Sequence, residues 1–333
     1  AACSSVQGPA LTAAETGTAI ADLYQAGTTV GSAAGWHQLP VDALGAVAGV
    51  ALPVSGTPGA LPRGKYSYDS LSKVWVKTAE SDDLELAWLH DAVAYGLVFD
   101  WDATAPTTTV TGPGSETAEV PTGAAATLSQ GGTPVGGLAA GSTWVTNQCA
   151  VDEPSRASLS GYLAGDGALL TLDRLGFTLA DTAGTDTIST EAEVTASVGG
   201  DSLSAYLELS GNGTLERDVD CNIVDFAPVS GTVALGAAAT VAGDSHSVDF
   251  QTALSDPQYS GDVLTGIGLA GSLRLDGVLA TSFSGSLNDA NANGVPGDEL
   301  MLTFADDQAM TLEEFLIDQI GWGPLTALRL MTR

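Results

Sequence analysis

From Gly64 onward, apolar and polar residues alternate with a period of two, which is the signature of half-buried strands. Lys73-Val-Trp-Val-Lys77 alternates; Leu84, Leu86 and Trp88 share one face, and Tyr95, Leu97, Phe99 and Trp101 share another. These aromatics read as a core face, with a carbohydrate-binding platform as the alternative. After a Thr-, Pro- and Gly-rich stretch at 104–122, a hairpin is expected around Gly131-Gly132, with a second turn at Gly136-Gly137. Short strands follow at 158–164, 202–208, 230–235, 247–254, 271–275, 279–287 and 299–305. They are joined by turns such as Gly165-Asp-Gly167, Gly199-Gly-Asp201 and Asn212-Gly213. Sequential hairpins predict a mainly β fold: an antiparallel meander forming a barrel, clam or sandwich.

Helical spacing marks only the two ends. Residues 12–25 predict a helix with Ile20, Leu23 and Tyr24 on one stripe, stopped at Gly27. Thr311-Leu-Glu-Glu314 opens a second helix, 311–320, with a capping box and with Phe315, Leu316 and Ile320 on its apolar side. Trp322 and Leu325 onward are expected to dock on the sheet. Residues 41–50 form a short apolar run, either helix or strand, and Ser55-Gly-Thr-Pro-Gly59 reads as a loop. The organisation expected is an N-terminal tether and helical segment at 1–60. A large β domain follows at 61–333, with a possible division near 104–156.

Composition narrows the functional classes. The 333 residues carry 40 acidic side chains against 10 Lys plus Arg, a net charge of −30. Such a chain repels phosphate backbones and anionic bilayers, so nucleic acid is not an expected partner and membrane contact needs a lipid anchor. Four of the ten basic residues, Arg63, Lys65, Lys73 and Lys77, fall in one segment. That segment is either a docking site for the acidic remainder or an edge hairpin guarded by lysines. No apolar run is long enough for a membrane-spanning helix.

Three cysteines leave one over if two pair. Ala1-Ala2-Cys3-Ser4-Ser5 resembles the end of a bacterial lipobox. That resemblance implies a lipid on Cys3, leaving Cys149 and Cys221 to form a disulfide; an ordinary signal-peptidase site also leaves an Ala-rich start. Either reading places the chain outside the cytoplasm, in the cell envelope or at the surface, where disulfides persist. With the segments Gly64-Lys-Tyr-Ser-Tyr-Asp69 and Phe99-Asp-Trp-Asp102, this start resembles surface lipoproteins of deinococci. The resemblance implies an outer-membrane anchor and envelope or surface-layer proteins as partners.

The loop Asp289-Ala-Asn-Ala-Asn-Gly-Val-Pro-Gly-Asp-Glu-Leu300 spaces oxygen ligands for calcium: Asp289, Asn291, Asn293 and the Val295 carbonyl, with Gly294 at the sharp turn. It resembles the calcium loops of thrombospondin type 3 and dockerin modules over about twelve residues. Leu300 stands where an EF-hand has its closing glutamate, so Asp298 or Glu299 must substitute. An ion-free polar loop is the alternative.

His37, His90 and His246 are scattered, without HxH or HxxxH spacing. Meeting in the fold, they would make a zinc or copper site, as in an extracellular copper-type superoxide dismutase. Carboxylate pairs at Asp82-Asp83, Asp152-Glu153, Asp306-Asp307 and Glu313-Glu314 have the residue type of glycosidase acid–base pairs, but a chain this acidic produces such pairs by chance. Asn212-Gly-Thr214 is a glycosylation sequon that also reads as a turn. No nucleophile elbow, phosphate loop or dinucleotide fingerprint occurs. The expectation is a non-catalytic exported envelope protein with structural calcium. The alternatives are the metalloenzyme and a carrier whose curved sheet encloses a lipid or pigment.

Overall fold

The computed structural model describes residues 9–46, 63–100, 107–112, 115–147, 149–180, 185–219, 221–260, 263–288 and 297–321. The chain is mainly β, 67% strand and 14% helix, with a long antiparallel sheet and a helix toward each terminus. It divides into two compact units: one of Ala33–Leu179 with Ala192–Gly200, the other of Ala1–Ser32, Ala180–Glu191 and Asp201–Arg333.

The first of these holds β1 (Gly64–Asp69), β2 (Val74–Ala79), β3 (Leu84–His90), β4 (Val93–Asp100), β5 (Thr107–Thr111), β6 (Thr117–Pro121), β7 (Gly123–Gln130), β8 (Thr133–Thr146), β9 (Asp152–Gly165) and β10 (Ala168–Ala180). Strand β11 (Asp186–Val198) contributes residues to both units. The second holds β12 (Asp201–Arg217), β13 (Ile223–Val241), β14 (Asp244–Ser260), β15 (Val263–Leu275), β16 (Val278–Leu287), β17 (Glu299–Thr303) and β18 (Ala309–Thr311). Helices α1 (Ala13–Gly31) and α2 (Leu312–Asp318) belong to this second unit. Among the described residues the strands pair in the order β18-β17-β16-β15-β14-β13-β12-β11-β10-β9-β8-β7-β4-β3-β1-β2, and β5 pairs β6 separately.

Two pairings among the described residues depart from the expected meander: β4 pairs β7 past the β5–β6 hairpin, and β1 runs parallel to β3, Tyr66 opposite Leu86. The β1–β2 hairpin thereby places β2 at an edge, with Lys73 at its turn and Lys77 along it. Lysines guard that edge, as one reading of the basic segment holds. Two of its cations are engaged locally, Lys65 with Glu85 at 2.8 Å and Lys77 with Glu80 at 2.6 Å. Tyr66, Leu84, Leu86, Trp88, Tyr95 and Leu128 form a buried core cluster with Ala43, and the Trp88 indole donates to the Ala43 carbonyl at 2.9 Å. The alternating aromatics are therefore core, with Trp88 only 3% exposed; Trp101 lies outside the described residues.

The strands are much longer than their periodic cores, reaching 19 residues in β13. Two expected turns are absent because the chain passes straight through them. Gly136 and Gly137 lie inside β8, opposite Leu163 and Tyr162. Asn212 and Gly213 lie inside β12, where the register shifts against Ser230 and Pro228. A Cβ at Gly213 would lie within 2.9 Å of the Pro228 Cα, so glycine serves close backbone approach here rather than reversal. Proline cannot donate to a ladder, and it is placed accordingly. Pro134, Pro154, Pro228 and Pro257 all sit at register shifts.

Helix α1 begins at a capping box: Thr12 Oγ1 accepts from the Glu15 amide, and Glu15 accepts from the Thr12 amide at 2.8 Å. It runs through Gly27 to Gly31, and Tyr24 is 77% exposed. Ile20 packs against the core as expected, while the buried positions are Ala13, Thr16, Gly17, Ala26 and Val30. Small residues let the helix lie close, with a Cβ at Gly17 meeting Gln319 at 3.2 Å and one at Gly27 meeting Leu203 at 3.8 Å. Helix α2 has the expected capping box of Thr311 and Glu314. Residues 41–46 contribute a short 3-10 turn, Asp42–Ala46. Residues 47–62 and the tail from Trp322 lie outside the described residues.

Candidate functional site: an apolar cavity in the β12–β18 unit

Register aligns the apolar positions of β12–β17 on one face. Leu207 stands opposite Leu235, Leu235 opposite Phe250, Phe250 opposite Leu273 and Leu273 opposite Thr281. The neighbouring row runs Leu209, Val233, Thr252, Gly271, Phe283 and Leu302. Alternation sends Asp249, Gln251 and Arg274 to the opposite face.

A core forms where Ala13, Phe304 and Phe315 meet Leu269, Phe283, Leu300 and Leu302. Phe250 stacks on Phe283 at 5.1 Å and Phe304 on Phe315 at 5.3 Å. Among the described residues a partly open cavity of about 360 Å³ lies beside this core. Ile20 of α1, Phe315 and Leu316 of α2, and Phe250, Leu273 and Phe283 of the sheet line it. Among the described residues its one polar lining side chain, Thr281, donates its hydroxyl to the Thr303 carbonyl at 2.8 Å. These lining residues offer shape and dispersion contacts, in the volume range of small-molecule sites, and no group for acid–base work. One turn before Ile20 on the same helix face, the fully buried Thr16 hydroxyl has no partner among the described residues. Thr18, Thr28 and Thr29 of the same helix each bond back to the carbonyl four residues earlier.

The residues singled out in the sequence are dispersed. His37 is exposed in the 3-10 turn Ala34–Gln38. His90 ends β3, its Nε2 3.8 Å from Asp91 and its ring edge-on to Tyr95 at 6.4 Å. His246 lies on β14 with Nδ1 4.0 Å from Asp276. Among the described residues no group of three or more His, Cys, Asp or Glu is placed to hold a metal.

Members of two of the carboxylate pairs hold structural hydrogen bonds. Asp152 accepts from the Thr111 amide at 2.7 Å, and hydrogen bonds from Thr146 and Thr111 hold its carboxyl below the ordinary range. Buried Glu153 accepts from Asn147 at 3.2 Å. Glu314 caps α2. The sequon residue Asn212 is a half-buried strand position accepting from Thr187 at 3.0 Å.

Cys149 and Cys221 are disulfide-bonded. Asn147 Oδ1 accepts from the Cys149 amide at 2.9 Å, and Arg217 donates to the Cys221 carbonyl at 3.3 Å. Cys3 lies outside the described residues. So do Asp289, Asn291, Asn293 and Val295, the residues expected from their spacing to ligate calcium. The loop's stem is described: the Gly297 amide donates to the Asn288 carbonyl at 2.7 Å, and Asn288 Nδ2 donates to Glu299 at 2.7 Å. Asn288 Oδ1 is a buried acceptor with no partner among the described residues. Asp298 adjoins this stem.

No protein-family model matches the chain, and neither the curated proteins nor the solved structures give a match.

Proposed function

We propose that the β12–β18 unit binds an apolar small molecule and that the protein is a non-catalytic carrier acting outside the cytoplasm. The cavity carries this reading: about 360 Å³ bounded, among the described residues, by aliphatic and aromatic side chains, with the Thr281 hydroxyl already engaged. Such a site rewards burial of apolar surface and nothing else. The disulfide supports an oxidising compartment. Attachment through Cys3 and association with envelope or surface-layer proteins rest on the sequence resemblances alone. The test is extraction of protein from its native source into organic solvent, followed by mass spectrometry. A near-stoichiometric apolar compound is expected. An empty extract, together with no uptake of Nile red by the purified protein, overturns the reading.

A second reading concerns calcium. Asn288 Oδ1, buried and without a partner among the described residues, and the Asp298-Glu299 pair flank a loop with calcium-ligand spacing. Structural calcium there would hold the β16–β17 connection.

A further inference from the structure

We infer that the cavity's ligand is a single long hydrocarbon chain with an uncharged end, lying along the row Leu207–Leu235–Phe250–Leu273–Thr281. This rests on the cavity reading above and adds the ligand's shape and its charge.

The argument begins with register. Phe250, Leu273 and Thr281 line the cavity, whereas Leu235 and Leu207 continue the same row onto β13 and β12. Those two leucines are 39% and 38% exposed, and Leu209 of the adjoining row is 39% exposed. The cavity therefore runs on into a strip of exposed leucine on one sheet face. Four strand spacings give the row a length of about 19 Å. One leaflet of a bilayer's hydrocarbon core is about 15 Å thick, so the row matches an extended lipid chain. A compact apolar molecule would fill the cavity and leave the leucines of β12 and β13 without a role.

Charge settles the other end. Neither row contains an ionisable residue. The two threonine hydroxyls in them are turned to backbone: Thr281 bonds to Thr303, and Thr252 to the Ala253 and Ala270 carbonyls at 3.1 and 3.3 Å. Arg274 is on the opposite face and donates to the Gly277 carbonyl at 3.3 Å. A carboxylate or phosphate end would meet no cation on these rows, within a chain of net charge −30. An alcohol or ester end costs less to place there.

The experiment displaces Nile red from the full chain with 1-octanol, 1-tetradecanol and myristate, for wild type and Leu235→Gln. Leu235 is partly exposed, so the variant is expected to fold, and circular dichroism verifies it. Tetradecanol should compete at least about 100-fold better than octanol, because each buried methylene multiplies affinity about fourfold. It should also compete better than myristate, and Leu235→Gln should weaken tetradecanol about tenfold while leaving octanol unchanged. Equal affinities for octanol and tetradecanol, or an unaffected variant, overturn the chain assignment while leaving the cavity reading in place. Tighter binding of myristate overturns the uncharged end. A change in sedimentation of Leu235→Gln without a change in chain binding would assign the leucine strip to a second copy of this chain and overturn the proposal. No displacement by any compound, with no Nile red uptake, removes the cavity reading itself.

Discussion

Tyr206 reaches across Gly236 on the neighbouring strand and donates its hydroxyl to Asp249 Oδ1 at 3.1 Å on the strand beyond. A Cβ at Gly236 would collide with the Tyr206 ring and come within 2.9 Å of that carboxylate. Tyr162 covers Gly137 in the same way, a Cβ there falling 2.8 Å from its ring. Phe283 covers Gly271 at 2.7 Å. Aromatic rings thus fill the gaps that strand glycines leave in this sheet. Gly236→Ala should destabilise the protein by about 1–3 kcal/mol through overpacking, measured by urea denaturation.

The same contact sets an alkaline limit. Burial, then the Asp249 carboxylate, pushes the Tyr206 phenol above its ordinary value of 10.0. A group whose folded pKa is raised contributes stability that is complete below the unfolded value and is lost as pH rises through the folded one. The stability difference between wild type and Tyr206→Phe should therefore be constant from neutral pH to about pH 10 and shrink above it. A difference that grows with alkalinity would contradict the geometry.

Glu85 supplies the acid counterpart. Hydrogen bonds from Lys65, then Ser81, hold its carboxyl below the ordinary 4.5. Its contribution is complete above that value and disappears as pH falls through the lowered one. Comparing Glu85→Gln with wild type isolates this effect from the general relief of repulsion as the many carboxylates protonate. The two acid-unfolding curves should be separate above the ordinary 4.5 and converge as pH falls through the lowered value.

Fold class was legible because the period of two survives almost everywhere and Gly-rich turns punctuate it. Asp166-Gly167 and Gly199-Gly200 turn as their composition indicates. Strand length was not legible. Asn212-Gly213 has hairpin chemistry, yet its partner strand continues past it, and only the non-local ladder to β13 decides between reversal and bulge. The segments Ser158-Leu-Ser-Gly-Tyr-Leu-Ala164 and Ser202-Leu-Ser-Ala-Tyr-Leu-Glu208 are similar in sequence, and in each the tyrosine covers a glycine on a neighbouring strand. The cavity was invisible for the same reason as strand length. Phe250, Leu273 and Phe283 each look like ordinary strand residues until register brings them to one face below Ile20. The α1 stripe was partly misplaced because Gly17 and Ala26, which carry no hydropathy signal of note, make the contacts that Tyr24 was expected to make.

Thr16 gives a prediction of stabilisation. Its hydroxyl is fully buried and has no partner among the described residues, whereas a valine has the same branched shape without a polar atom to desolvate. Thr16→Val should raise stability by about 1 kcal/mol in denaturant unfolding. Loss of stability would mean that the hydroxyl is satisfied in solution.

The stem of the Asp289–Leu300 connection offers the decisive comparison for calcium. If the ion closes this loop, native-state binding raises stability as RT ln(1 + [L]/Kd), which is about 2.7 kcal/mol at a hundredfold excess over Kd. Calcium added to chelator-treated protein should then raise the melting temperature, magnesium should do so less, and Asp298→Asn with Glu299→Gln should abolish the response. Glu299 also accepts from Asn288 at 2.7 Å, so the double variant loses a stem hydrogen bond and starts from a lower baseline. The diagnostic quantity is therefore the calcium-induced increment, not the melting temperature itself. An increment that persists in the double variant places the ion elsewhere among the chain's carboxylates. No increment in wild type leaves a polar loop without an ion, its stem joined through Asn288, Gly297 and Glu299.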